Sequence, residues 1–151
     1  MDKNFLLKSA ETLKQISSES AGEYYQKSDR LIAAMNGQML QRADLDNLVG
    51  RHNIDMMKDN HANHVRFMAS IFHSCNSEVL VETILWVFRA YRTHGFSTSY
   101  WAAQLNTWMG VLKEVLSEEC YSEIHPYYEW MQVNVPVFVK LTDESLDQQW
   151  V

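Results

Sequence analysis

The chain is poor in the residues that turn a backbone. Gly occurs 5 times and Pro 2 times in 151 residues. A sheet-rich fold needs many tight turns, and Gly and Pro supply most of them. Their scarcity favours long helices. The length is that of one domain, residues 1–151. Hydrophobic residues, at 46%, suffice for one core, and charged residues, at 21%, fall slightly under the globular average.

The formal net charge is −6, and no basic run offsets it. That balance argues against a nucleic-acid backbone or an anionic membrane as the main partner. Two cysteines, Cys75 and Cys120, read as reduced thiols rather than a disulfide scaffold. The opening MDKNFLLKSAETLKQ has no sustained apolar stretch of the signal-peptide kind. No apolar run reaches the roughly 18 residues of a membrane span. A cytoplasmic protein without a transmembrane segment is expected.

Apolar periodicity predicts six helical stretches. They cover about Asn4–Ile16, Ala21–Leu40, Asn53–His73, Glu78–Thr93, Tyr100–Leu116 and Glu118–Leu141. A short turn at Asp44–Val49 separates the second from the third. Ser17–Ser20 supply a helix start, as do Ser77 and either Ser97 or Thr98. Gly95 reads as a C-terminal stop. Pro126 and Pro136 should start, bend or break the last stretch. TDESLDQQWV reads as a polar, frayed tail, with Trp150 unexplained. A short helix, a second helix, a small turn and four long helices form the order of an all-α, globin-like fold. A plain six-helix bundle is the alternative.

The informative positions are polar side chains on apolar stripes. On the third stretch, His61 and His64 share a face with Ile54, Met57, Val65, Met68, Ile71 and Phe72. They are either satisfied core histidines or the lining of a polar chamber. On the fourth, Arg92 lies at the edge of the stripe of Val81, Leu85 and Phe88, and Arg89 points more to the far side. Each is either solvated near the helix end or turned inward on an anion. On the fifth, Gln104 sits among Trp101, Leu105 and Trp108 and needs partners if buried. On the last, Tyr127, Met131, Asn134 and Phe138 fall together. Aromatic and Met stripes build a core, and they can also line a ligand tunnel.

Haem in a globin-like fold needs an axial ligand on the fourth stretch. That stretch has no His, Cys or Met, so haem is not expected. A haem-based gas sensor would have to rely on Tyr91 or His94. No metal site is expected either: His61 and His64 share a face, but no Glu-x-x-His, HExxH or CxxC pattern accompanies them. No nucleophile motif, phosphate loop or paired inward carboxylates suggest catalysis, so the chain is not read as an enzyme.

Three strings carry a resemblance: NHANHVRFM, WVFRAYRTHGFSTSYW and EIHPYYEWMQVNVPVFVKLTDE. They resemble the non-haem globin sensor domains of sporulation signalling. That family includes plasmid-borne sporulation-inhibitory proteins of the anthrax group and the sensor domain of a related sporulation histidine kinase. The resemblance implies a homodimer without haem, joined through the C-terminal helices. It implies a hydrophobic tunnel holding a fatty acid, whose carboxylate meets an arginine and a halide (chloride) ion. The arginine is Arg92, Arg89 or Arg66, in the order that helical phase favours. His61, His64, Met68, Phe88, Tyr91, Gln104 and Trp108 complete the expected site. A cationic His61 or His64 would ease the repulsion between halide and carboxylate, giving pH sensitivity. The implied function is inhibition of sporulation, by titrating the signal of a sensor histidine kinase or by pairing with it. A pure interaction module with a solid core is the alternative. Tyr121, Tyr127, Tyr128 and Trp130 offer either a dimer surface or a wrap around the bend at Pro126.

Overall fold

The computed structural model describes residues 1–149, with side chains through Glu144. Among the described residues there are nine α-helices and no strand. They are α1 (Lys3–Ala10), α2 (Ser18–Gln26), α3 (Ser28–Leu40), α4 (Leu45–Val49), α5 (Ile54–His73), α6 (Ser77–Thr93), α7 (Ser99–Val115), α8 (Glu118–Val133) and α9 (Val135–Gln149). A 3-10 turn at Arg51–Asn53 precedes α5. No helix is long and apolar enough to cross a membrane among the described residues.

Helix α1 stops at Ala10, short of the expected Ile16. Gln15 holds the following segment against the end of α5: its Nε2 donates to Phe72 O at 2.7 Å and its Oε1 accepts from Cys75 N at 2.9 Å. The second predicted helix is split at Lys27, whose φ of −93° and ψ of 9° leave the helical region. Ser28 Oγ donates to the carbonyls of Tyr24 and Tyr25, and Lys27 Nζ donates to Val115 O. Side chains, rather than Gly or Pro, make this break. The last predicted helix is split at Asn134, which closes α8 by donating Nδ2 to Trp130 O at 2.8 Å. Pro136 then falls in the first turn of α9, where a missing N–H is tolerated. Helix α9 continues to Gln149 through the expected frayed tail, whereas Trp150 lies outside the described residues.

Asn76, not Ser77, caps α6, its Oδ1 accepting from Val79 N at 3.0 Å. Thr98 occupies the N-cap position of α7 without a side-chain cap bond, and Ser97 Oγ accepts from Ser99 N at 3.1 Å. Gly95 has a φ of +95°, the left-handed stop expected after α6.

Helices α2 and α8 are joined by a reciprocal clasp. Ser17 caps α2 and Ser117 caps α8, each through its hydroxyl. Glu23, six residues beyond Ser17, accepts from Ser117 N and Oγ, both at 2.7 Å. Glu123, six beyond Ser117, accepts from Ser17 N at 2.9 Å and Oγ at 2.8 Å, and also from Ser20 Oγ. Burial alone would raise the Glu23 carboxyl; bonds from Ser117 and the Lys27 ammonium outweigh it and bring it down to about 2. Glu123 is likewise lowered, by Ser20 and Ser17. A depressed carboxylate stabilises above its unfolded value and loses that effect as pH falls through its folded one. Glu23→Gln is therefore expected to cost about 1 kcal/mol at neutral pH. The gap in urea midpoint between wild type and variant should close as pH falls from the ordinary 4.5 toward 2. A gap that persists in acid would show that the charge of Glu23 contributes nothing.

Three of the four aromatics of α8 face inward, and Tyr121 is half-buried against the core. Tyr127, Tyr128 and Trp130 are all buried. Tyr127 donates its hydroxyl to Lys14 O at 2.7 Å, and Trp130 Nε1 donates to Ser9 Oγ at 2.9 Å. They hold the N-terminal segment onto α8. Glu119, Ser122, Pro126, Glu129 and Val133 form the exposed face of α8. The carbonyl that Pro126 leaves unpaired therefore opens to solvent.

Helix α5 packs on α2 and α3, α6 on α1 and α9, and α7 on α3 and α8. Helices α5 and α6 do not pack closely on each other. The space between them is the candidate site.

Candidate functional site

A cavity of about 210 Å³ lies between α5 and α6 and reaches α7, α8 and α9. Helix α5 contributes Asn63, His64, Phe67 and Met68, and α6 contributes Thr83, Ile84, Trp86, Val87 and Phe88. Trp101, Gln104 and Leu105 of α7, Met131 of α8 and Phe138 of α9 complete the wall. The wall is mainly apolar. Trp86, 59% exposed, stands at the rim.

Phe88 and Trp101 stack at 4.2 Å between centroids, with 13° between their planes. Phe138 meets Phe88 edge-on at 5.2 Å. This stack arises because Phe88 faces inward from α6 and Trp101 opens the inner stripe of α7. It forms a stiff apolar wall.

The polar side chains gather between α5 and α7. His64 stacks on Trp108 at 5.0 Å, and His61 meets Trp108 edge-on at 6.0 Å. His64 Nε2 and the Tyr128 hydroxyl share a hydrogen bond of 2.8 Å, and the Tyr128 and Tyr24 hydroxyls share one of 2.9 Å. His61 Nδ1 donates to Asn36 Oδ1 at 2.6 Å. One turn before His64, Asn60 Oδ1 accepts from Gln104 Nε2 at 2.6 Å and from the Tyr100 hydroxyl at 2.8 Å. His61 Nε2, Trp101 Nε1 and Trp108 Nε1 are buried with no hydrogen-bond partner among the described residues. Most buried polar atoms in folded proteins are paired, so these three are informative; of them, Trp101 lines the cavity.

Burial pushes His61 down to about 4, and burial together with His61 pushes His64 down to about 3. With no anion beside them, both are neutral near pH 7, against the expected cationic histidine.

Of the expected residues, the structure brings His64, Met68, Phe88 and Gln104 onto the cavity wall. His61 and Trp108 are fully buried beside His64. Tyr91 turns its ring against Phe96 and Trp101 and its phenol toward Asn60 and Asn63. The arginines are not brought in. Arg92 reaches across to α9, donating to Val139 O at 3.2 Å, to Thr142 Oγ1 at 2.8 Å, and to Asp143. That triple attachment spends its guanidinium on the α6–α9 junction. Neither Arg89 nor Arg66 lines the cavity; Arg66 lies on the outer side of α5, 3.4 Å from Asn63 Oδ1.

Sequence reasoning missed Asn60, Tyr100, Asn36, Tyr24 and Tyr128. Asn60 shares the inward face of α5 with His64 and was detectable by the same helical phase. The two phenols of α2 and α8 read as core aromatics, with no local sign that their hydroxyls would meet.

Iron would find no ligand on α6 among Thr83, Ile84, Val87 and Phe88, the inner residues that face the cavity. Among the described residues, no three His, Cys, Asp or Glu side chains cluster as a metal site. Compared with known proteins, the chain matches no family model, no curated protein and no solved structure.

Proposed function

We propose that this chain is a non-enzymatic, globin-like sensor domain that binds a fatty acid in the cavity between α5 and α6. One observation carries the reading: about 210 Å³ of mainly apolar interior, with His64 and Gln104 as its inner polar residues. A solid interaction module would close such a volume, because protein interiors pack to crystal-like density. An apolar tail suits the Met, Phe and Trp wall, and each buried methylene contributes about 0.8 kcal/mol. The indole N–H of Trp101, buried and without a partner among the described residues, belongs to a residue of the cavity wall and is a donor left over for a bound ligand.

The resemblance extends this reading to signalling. The domain acts in the cytoplasm as a homodimer, joined through its C-terminal helices. It inhibits sporulation by titrating the signal of a sensor histidine kinase or by pairing with that kinase.

Native mass spectrometry of protein purified without added lipid tests the binding. An adduct that leaves as a fatty acid on denaturation is expected. A bare protein mass, with no displacement of an apolar dye by fatty acids, would remove the basis of the proposal.

A further inference from the structure

Among the described residues no lysine or arginine lines the cavity, and that constrains the form in which an acid enters it. Tyr24 is fully buried, and its hydroxyl meets only that of Tyr128 among the described residues. A buried hydroxyl proton without an acceptor is costly, so Tyr24 donates to Tyr128. Tyr128 then donates to His64 Nε2. A neutral imidazole has one donor and one acceptor, so the proton sits on Nδ1. Nδ1–H is what His64 presents to the cavity it lines.

Gln104 is the opposite case. Its two amide protons go to Asn60 Oδ1 at 2.6 Å and to the Tyr100 oxygen at 3.2 Å. The acceptor Oε1 is what remains for the cavity. Gln104 lies one turn before Trp108 on α7, and His64 stacks on Trp108. Both residues thus adjoin Trp108 and line the same cavity.

Resting on the ligand-binding reading above, the geometry points to a neutral, protonated medium-chain carboxylic acid as the ligand of this cavity. Its carbonyl oxygen accepts from His64 Nδ1–H, and its O–H donates to Gln104 Oε1. A carboxylate would set an oxygen against Gln104 Oε1 and bury a charge without a counter-charge. The volume sets the tail. A dry apolar cavity of about 150 Å³ holds six-carbon benzene, so this one holds about eight carbons.

The titratable groups around the head are His61 and His64 on α5, Tyr24 on α2, Tyr91 on α6, Tyr100 on α7 and Tyr128 on α8; Asp59 lies near Tyr91. Burial lowers both histidines and raises all four phenols. None of these six changes charge between about pH 6 and 8, so pH dependence there belongs to the ligand.

Calorimetric titration with octanoic acid and with octanamide tests this. The amide offers the same C=O and N–H pattern without titrating. From about pH 6 to 8 the acid should weaken about tenfold per pH unit, because its own pKa is about 4 to 5. About one proton should be taken up per acid bound, and octanamide should hold its affinity. Lengthening the amide should gain about fourfold per methylene up to eight or nine carbons, then stop. Octanoate affinity that is flat with pH would overturn the neutral-acid form. A gain continuing to sixteen carbons would overturn the chain length. Neither result touches the cavity as a ligand site. Absence of binding by acids and amides of every length at every pH would overturn both.

Discussion

Phe88→Ala is expected to destabilise the fold by about 3–5 kcal/mol, the usual cost of emptying a packed phenylalanine site. Phe88 is 4% exposed, stacks on Trp101 and meets Phe138 edge-on. Removing it forfeits burial and both ring contacts. Trp101 is fixed by Tyr100 and Tyr91 on its other sides, at 4.9 and 6.0 Å, so collapse around the hole should be small. Whole domains are stable by only about 5–15 kcal/mol, so this loss is a large share. The urea midpoint should fall with little change in slope. The variant should also gain affinity for longer amides, because Phe88 is part of the wall that ends the cavity. A ligand at about 100 times its Kd would then restore about 2.7 kcal/mol. A cost below about 1 kcal/mol would mean that Phe88 is not packed as a wall.

What was legible depended on whether the cause was local. The phase of α5 placed His61, His64 and Met68 on one face from sequence alone, because a hundred degrees per residue is a local rule. Gly95 marked its own stop for the same reason. The break at Lys27 is only partly local: Ser28 bonds the carbonyls just before it, but Val115, which accepts from the Lys27 ammonium, is 88 residues away. Arg92 shows the limit most clearly. Phase rightly put it at the edge of the apolar face, and its side chain is only 15% exposed. Phase cannot say which neighbour waits there. The partners are Thr142 and Asp143, 50 and 51 residues on, in a segment that read as a frayed tail. Once those residues continue α9, the guanidinium has acceptors outside the cavity. The protonation state of His64 was equally out of reach. It follows from a chain of hydroxyls contributed by α2 and α8, not from anything on α5.

Asn60→Leu is expected to cost about 2–4 kcal/mol, more than its size suggests. Its Oδ1 is the acceptor for two buried donors, Gln104 Nε2 and the Tyr100 hydroxyl. Leucine matches the volume and removes the acceptor. Gln104 Nε2 keeps the Tyr100 oxygen at 3.2 Å, but its second proton and that of Tyr100 are left without a partner. Each stranded buried donor costs about 1–3 kcal/mol. The penalty thus falls on the neighbours and not on residue 60 itself. That gives a sharp form of the test. Replacing all three groups, as Asn60→Leu with Tyr100→Phe and Gln104→Leu, strands no donor. The triple variant should recover most of the stability that Asn60→Leu loses, against simple additivity. It should also lose part of its discrimination between octanamide and an alkane of equal length, because the acceptor offered to the cavity has gone while the His64 donor remains. Chemical denaturation of the single and triple variants decides the energetic part. Costs that merely add would show that the three side chains do not act as one network.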